Sequence, residues 1–488
     1  MKSQAAPSST TFLCGIDGGQ LMKCSSSGGS EVIGLEVGKS VGNISLAITN
    51  GGSRTVELSS HAQDLIEIAA YLYQSDRLVL RNMDAWTRCL DYHIAVRNLD
   101  HWRDLDQHLN RLASFLSGDQ IKFHFYAKRD ETNWIPKLPV PEGSFEGTCL
   151  YSGGLDSTSG LSWLMEKKTP VVAVSQYSNR LSDRTSLLAD LGIAGELEMP
   201  LIGFRLVPRR TRVVKGNLNL HINPLEDVDF TWRLRTFFYL SIGAATAQAL
   251  GLKKIYMFEN GILAHNLPFD RYVIGARSTR HAHPTFLEYS QSLFEQLFEH
   301  KMRILNPFQF YTKGFEARRL GELASMFRGN PSLVARTNSC WYFPNMVARL
   351  RYSSGRKISH CGGCMPCKIR RLAVYEANLQ HREPVNAQYF VDPLSPPRNP
   401  SHYRSRPSQE RFVYDQHSRN IVRVRRYADR IRNCKNLRDF SREWPQVFEF
   451  EGKNLSGSPV PTVISAIYEM YSAFADHLNS IERSVSMI

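Results

Sequence analysis

The stretch Leu150-Tyr151-Ser152-Gly153-Gly154-Leu155-Asp156-Ser157 constrains the chain more than any other, because an apolar run passes directly into a Ser-Gly-Gly turn and then a helix start. Gly147 to Tyr151 reads as a short buried strand. Ser157 and Thr158 are placed to cap an apolar-periodic helix through Leu161, Leu164 and Met165. Strand, glycine turn and helix N-terminus together make an anion site. Gly153 and Gly154 let backbone N–H groups reach phosphate oxygens, and the helix dipole adds attraction. Ser152, Ser157 and Thr158 supply hydroxyls, and Leu155 lies inside the same loop. Asp156 is the odd member, since a carboxylate beside bound phosphate is repulsive unless Mg²⁺ lies between them.

Downstream, strands alternate with helices. Val171 to Val174, Leu201 to Val207 and Lys254 to Phe258 read as buried strands, and Thr231 to Leu250 as a helix carrying Trp232 and Arg235 near its start. The fold class is therefore α/β, a doubly wound, mostly parallel sheet. In such sheets ligands sit at the carboxyl ends of strands. The Ser152 loop, the Tyr177 region and the Glu259-Asn260-Gly261 turn are expected to face one crevice, with Gly261 as a cofactor contact and Arg235 as a candidate catalytic residue.

At 488 residues the chain exceeds a single core, and two or three domains are expected. Residues 1–140 read as a separate α+β domain: helices from His61 to Leu78 and His101 to Leu116, strands around Leu90 to Val96 and Ile121 to Tyr126. The proline-rich run Trp134 to Pro141 marks its boundary. Gly34-Leu35-Glu36-Val37-Gly38-Lys39-Ser40 imitates a phosphate loop, but three residues separate its glycines where four are needed. It is assigned to a β-turn region with no nucleotide role for Lys39.

Nine cysteines, an odd number with a tight cluster, favour metal over disulfides. Cys361, Cys364 and Cys367 are spaced by two residues each, and Cys340 is the natural fourth. Four thiolates with no open position point to structural Zn²⁺, with an iron–sulfur centre as the rival. Domains are expected at 147–330 for the nucleotide part, 331–380 for a zinc-binding lobe, and 381–488 for a proline-rich connector and helical region. No apolar run reaches membrane length, and no hydrophobic signal segment leads the chain, so a cytoplasmic protein is expected. Lys plus Arg outnumber Asp plus Glu by 60 to 46, an excess of +14 that suits ATP, RNA or an acidic protein.

The string Ser152 to Ser157, SGGLDS, resembles the pyrophosphate loop of ATP pyrophosphatases, which split ATP between its α and β phosphates. Loop, distal lysine and a Ser-Cys followed by CGxCxxCxxR, closed by Arg370, together resemble the 7-cyano-7-deazaguanine synthase (QueC-like) family from about 147 to 375. The resemblance implies ATP as cofactor, Lys313 on the leaving phosphates, Asp156 as a catalytic residue, and adenylation of a 7-deazaguanine carboxylate. That family's next steps are displacement of AMP by ammonia and dehydration of the amide to the nitrile. Its usual acidic and Tyr-Pro-Asp-Cys-like segment is absent. Gly261 leads instead to His265-Asn266-Leu267-Pro268-Phe269-Asp270, and a basic Arg277-Ser278-Thr279-Arg280-His281-Ala282-His283-Pro284 follows.

The long extensions are similar to those of QueC-like enzymes of bacterial anti-phage operons (Qat-type). For these the resemblance implies joining the activated deazaguanine to an amine on an operon partner protein. Ordinary nitrile synthesis, an RNA-modifying adenylase and a non-catalytic nucleotide scaffold are the competing readings. His281 and His283 read as substrate contact or surface rather than metal ligands. Arg419 to Lys435 reads as a solvated basic helix face, nucleic acid being a secondary partner. Val463, Ile467, Met470, Phe474 and Leu478 form a stripe that packs on the body or on a second subunit of a homodimer.

Overall fold

The computed structural model describes residues 9–16, 31–38, 44–49, 54–81, 86–129, 135–177, 181–195, 199–208, 211–215, 218–222, 233–270, 279–326, 333–342, 345–450 and 460–486. Its strands are β1 (Ser9–Cys14), β2 (Glu31–Leu35), β3 (Ile44–Thr49), β4 (Arg54–Val56), β5 (Cys89–Val96), β6 (Gln120–Ala127), β7 (Leu138–Val140), β8 (Gly147–Leu150), β9 (Val171–Tyr177), β10 (Leu201–Pro208), β11 (Thr211–Lys215), β12 (Leu218–Ile222), β13 (Lys254–Tyr256) and β14 (Arg303–Leu305). One sheet runs β12-β11-β2-β1-β5-β6, the other β14-β13-β8-β9-β10-β3, and β4 pairs β7 as a ribbon.

The second sheet positions the site. Its strands β8, β9, β10, β13 and β14 are parallel, and β3 closes the edge antiparallel. Val171-Val172-Ala173-Val174 shows why: an unbroken run of small and β-branched residues suits a strand covered on both faces. Helices Leu155–Glu166, Leu181–Gly195 and Lys313–Met326 pack one face, and helices Arg235–Ala249 and Pro284–Phe298 the other. From β8 the chain moves outward through β9 and β10, then returns to β13 on β8's other side. The strand order reverses between β8 and β13, which is where open α/β sheets bind ligands.

The expected α/β class holds, but the N-terminal part is not an α+β unit. Strands β2, β1, β5 and β6 are all parallel, so it is a second α/β layer. Nor do the layers separate at residue 140. Strand β3 belongs to the second sheet, β11 pairs β2 of the first, and one apolar cluster joins Phe12 and Tyr92 to Ile202 and Phe238. Gly34 and Leu35, expected in a turn, lie in β2, while Lys39 and Ser40 fall outside the described residues, as do Trp232, Arg277 and Ser278. The expected helix over 101–116 is broken at Leu105 into Leu99–Asp104 and Asp106–Ser117. In the proline-rich boundary segment, Leu138–Val140 forms β7 and Leu138 is fully buried.

The connector after 380 is no free linker. Tyr389, Phe390, Val391 and Tyr403 are buried against the four cysteines, so the zinc-lobe core extends well past residue 380. The helix Val460–Ser486 buries Val463, Ile467, Met470, Phe474 and Leu478 on the body of its own chain, beside Ile262, Leu267 and Tyr427. Among the described residues no helix is long and apolar enough to cross a membrane.

Candidate active site

The loop after β8 is built from local rules. Gly153 sits at φ +73°, a left-handed conformation that favours glycine, and Gly154 caps the helix Leu155–Glu166 from an extended conformation. Ser157 does not cap from outside. It lies in the first turn, where its Oγ accepts from Ser152 N at 3.2 Å and donates to Gly154 O at 3.3 Å, tying the loop to the helix. The first intrahelical bond runs from Thr158 N to Gly154 O (3.0 Å), which leaves the amides of Leu155, Asp156 and Ser157 without intrahelical acceptors. Those N–H groups at the positive helix end form an oxyanion cradle suited to a phosphate chain. Thr158 is fully buried in the first turn of this helix.

Across the switch point, the helix that Lys313 begins brings its ammonium onto the Asp156 carboxylate as an ion pair. Asn260, after β13, donates from Nδ2 to Asp156 Oδ1 and to Glu259 Oε1, both at 2.9 Å. Burial pushes the Asp156 carboxyl up, but Lys313 and the surrounding hydrogen bonds outweigh this and hold it well below the usual carboxylate range. Burial and the Asp156 charge push Glu316, fully buried beside it, well above that range. Glu259 is raised for the same reasons, against the opposing pull of His281. The charge of Asp156 is thus already balanced by Lys313, so the loop carboxylate does not by itself demand a metal. Mg²⁺ takes oxygen donors, and Asp156 and Glu259 are the carboxylates at this loop that fit an ion arriving with ATP.

Of three further neighbours, the sequence read His281 as substrate contact or surface and did not single out Arg184 and Glu316. His281 Nε2 lies 2.8 Å from Glu259 Oε2, and its Nδ1 is buried with no hydrogen-bond partner. His283 accepts from Thr285 N as a helix cap. Arg184 lies against Gly153, donates to Ser175 Oγ at 2.6 Å and to Gln176 O, and pairs with no carboxylate among the described residues. It is a cation free to meet an anionic ligand at the loop. Glu316 is the third. Only its position one turn into the Lys313 helix hinted at it.

Two expected contacts are displaced. Gly261 donates its N–H to Tyr311 O at 2.9 Å, and a side chain there would collide with Met470 and Gln309 O, so it serves packing under the C-terminal helix and not a nucleotide. Arg235 does not join the Asp156–Lys313 cluster. It lies over the Tyr239 ring at 5.5 Å, and Tyr239 OH donates to Gln176 Oε1 at 2.9 Å, on the β9 side of the crevice. The divergent segment after Gly261 is held by the C-terminal extension. Tyr427 OH donates to Leu267 O (2.9 Å), Tyr471 OH accepts from Leu267 N (3.2 Å), and Phe269 stacks on Tyr427 at 4.2 Å.

Cys340, Cys361, Cys364 and Cys367 are buried together. Sulfur separations of 3.9 Å (361–367), 4.0 Å (364–340) and 3.3 Å (364–367) match tetrahedral ligands about 2.3 Å from one ion. Backbone N–H groups of Cys361 and Cys364 point at sulfur atoms, at 3.5 and 3.4 Å, and Cys364 caps the helix Met365–Glu376, whose dipole favours thiolate. The four thiols fit Zn²⁺, which would brace the lobe without taking part in the chemistry. The brace reaches the loop. Asn338, two residues before Cys340, donates its N–H to Gly153 O at 3.2 Å and accepts from Cys340 N at 2.9 Å. Arg370, fully buried and paired with Glu383 at 2.5 Å, fixes Thr337 Oγ1 at 2.8 Å and Ser339 Oγ at 3.3 Å.

Residues 147–378 match the family described as Queuosine biosynthesis protein QueC. Compared with curated proteins, the chain finds no match. The matched segment begins with β8 and ends just past the helix that carries Cys367 and Arg370, so it contains the loop, Lys313 and all four cysteines.

Proposed function

From the premise that residues 147–378 form a QueC-family domain, an ATP pyrophosphatase/ligase-type enzyme, we propose that this chain adenylates the carboxylate of a 7-deazaguanine and passes the acyl group to an amine on a partner protein, as part of anti-phage defence. The observation that carries the reading is the meeting of the Ser152–Ser157 loop, Asp156, Asn260 and Lys313 at the point where the strand order reverses. A substrate carboxylate oxygen attacks the α-phosphorus of ATP, and pyrophosphate leaves into the cradle of loop amides, Lys313 and Arg184. Charge that develops on the leaving oxygens there meets donors already in place.

The amine then attacks the acyl carbon of the adenylate and AMP departs, which requires the nitrogen to lose a proton. His281 is the base at hand, paired through Nε2 with Glu259 at 2.8 Å. A protein N-terminus, with a pKa of roughly 8, is partly neutral at neutral pH and suits such a base. The segment that stands in place of the family's substrate segment, Leu267 to Phe269, is gripped by the C-terminal extension, which supports an acceptor larger than ammonia. The family match by itself favours the ammonia-consuming nitrile synthase as the second reading.

The test incubates the purified chain with ATP, 7-carboxy-7-deazaguanine, ammonia and proteins encoded beside it, reading AMP, pyrophosphate and intact protein mass. Mass gain on a neighbour, lost in His281→Ala while acid-dependent ATP–pyrophosphate exchange persists, is the expected result. Nitrile formation with every protein mass unchanged would establish the second reading instead.

A further inference from the structure

Far from the ATP loop, the first sheet carries a second group of metal-ligating side chains. Strands β5 and β6 are parallel, with His93 in register with His124. Side chains alternate along a strand, so Asp91, His93, His124 and Tyr126 share one face. One donor atom each from Asp91, His93 and His124 lie within 4.8 Å of one another. Asp91 Oδ1 is 3.0 Å from His124 Nε2, Asp91 Oδ2 is 3.9 Å from His93 Nε2, and the two imidazoles stack at 4.6 Å.

We propose that Asp91, His93 and His124 bind a divalent transition-metal ion, Zn²⁺ foremost, at a site separate from the four cysteines. Three features beyond proximity carry this. Asp91 Oδ1 is withdrawn from water without a hydrogen-bond partner, although an imidazole nitrogen lies 3.0 Å away. That separation falls within the roughly 3.0–3.4 Å edge between two ligands that each sit about 2.1 Å from a shared ion. His93 Nδ1 is 2.8 Å from Tyr126 OH, a phenol oxygen that can accept an N–H there and so leave the Nε2 lone pair for a shared ion with Asp91 and His124. An oriented outer nitrogen of this kind is the usual companion of a metal-bound imidazole. Finally, the donor set is two imidazoles and one carboxylate, which suits zinc and its first-row neighbours and not Mg²⁺ or Ca²⁺. His124 is half exposed on the edge strand. Three protein ligands with an exposed side leave room for water or a further ligand, as open zinc sites do.

The experiment uses the full chain dialysed against micromolar free Zn²⁺, with zinc counted per chain by elemental mass spectrometry. Wild type is expected to hold two ions, and His93→Ala/His124→Ala one, with an unchanged far-ultraviolet circular dichroism spectrum because both side chains reach the surface. Tyr126→Phe is expected to keep both ions but to weaken the second about tenfold or more in a zinc titration. A wild-type count of one, or a count of two that survives the double substitution, overturns the site.

Discussion

Lys313 and Asp156 neutralise one another in a pocket that also holds the carboxyls of Glu259 and Glu316, so their pairing sets the charge that an incoming nucleotide meets. Asp156→Asn keeps the shape and the contact with Asn260 but removes the charge. Acid-dependent ATP–pyrophosphate exchange is expected to fall by about 10²-fold or more, the scale of losing one electrostatic contact to the reacting phosphates; exchange at the wild-type rate would take Asp156 out of the chemistry. A second residue-scale effect concerns stability. His265 is buried beside Phe310, with its ring N–H donating to Gly261 O at 2.9 Å, and burial pulls its pKa down to about 4. The neutral ring is the folded form, and the unfolded chain takes up a proton below about 6.5. Its contribution is complete above that pH and is lost as pH falls toward 4, at no more than about 1.4 kcal/mol per pH unit. His265→Gln is expected to flatten the difference between urea midpoints at pH 7.5 and 4.5, and an unaltered slope would contradict this.

At the scale of elements, the C-terminal helix Val460–Ser486 is part of the catalytic layer, because Met470 packs where a side chain at Gly261 would go. Gly261→Ala is expected to lower stability by about 1–3 kcal/mol, read as a urea midpoint, and to expose the C-terminal helix to protease before the rest of the chain unfolds. Cleavage no faster than in wild type would show that the helix does not depend on that contact. The apolar stripe of this helix was legible in the sequence, but its berth was not: period 3.6 says that a face is buried, and not against what. The loop was legible because its turn chemistry is local, with Gly153 at positive φ and the hydroxyl of Ser157 five residues from Ser152. So were Cys361, Cys364 and Cys367, whose spacing makes their sulfurs converge, while Cys340 reaches them from 21 residues upstream. Arg184 and Glu316 were not, and His281 was read only as substrate contact or surface, since each reaches the site only through the packing of elements far apart in sequence. The make-up of the two sheets was hidden for the same reason: β3, early in the chain, pairs β10 of the second sheet, β11, late in the chain, pairs β2 of the first, and no stretch of the chain announces its partner.

On the scale of the whole molecule, the four cysteines and the ATP loop are one mechanical unit. Cys340 fixes Asn338, whose N–H holds Gly153 O, and Arg370 holds the residues on either side of Asn338. Removing the ion frees four buried thiolates to repel or protonate, and the segment from Thr337 to Cys340 loses one of its two anchors, the other being Arg370 with Glu383. An ion held by the four cysteines would therefore act on nucleotide affinity through Asn338 and Gly153. Stripping the chain with a thiol-selective chelator is expected to raise the ATP concentration needed for half-maximal pyrophosphate exchange more than it lowers the rate at saturation, because Lys313 and Asn260, which hold Asp156, come from the other side of the crevice. Asn338→Ala is expected to shift ATP dependence in the same direction with the zinc retained, since an altered turn moves the N–H from Gly153. If the stripped enzyme instead lost its saturating rate at unchanged ATP dependence, the lobe would be acting on the reacting groups themselves, and the route through Asn338 would be wrong.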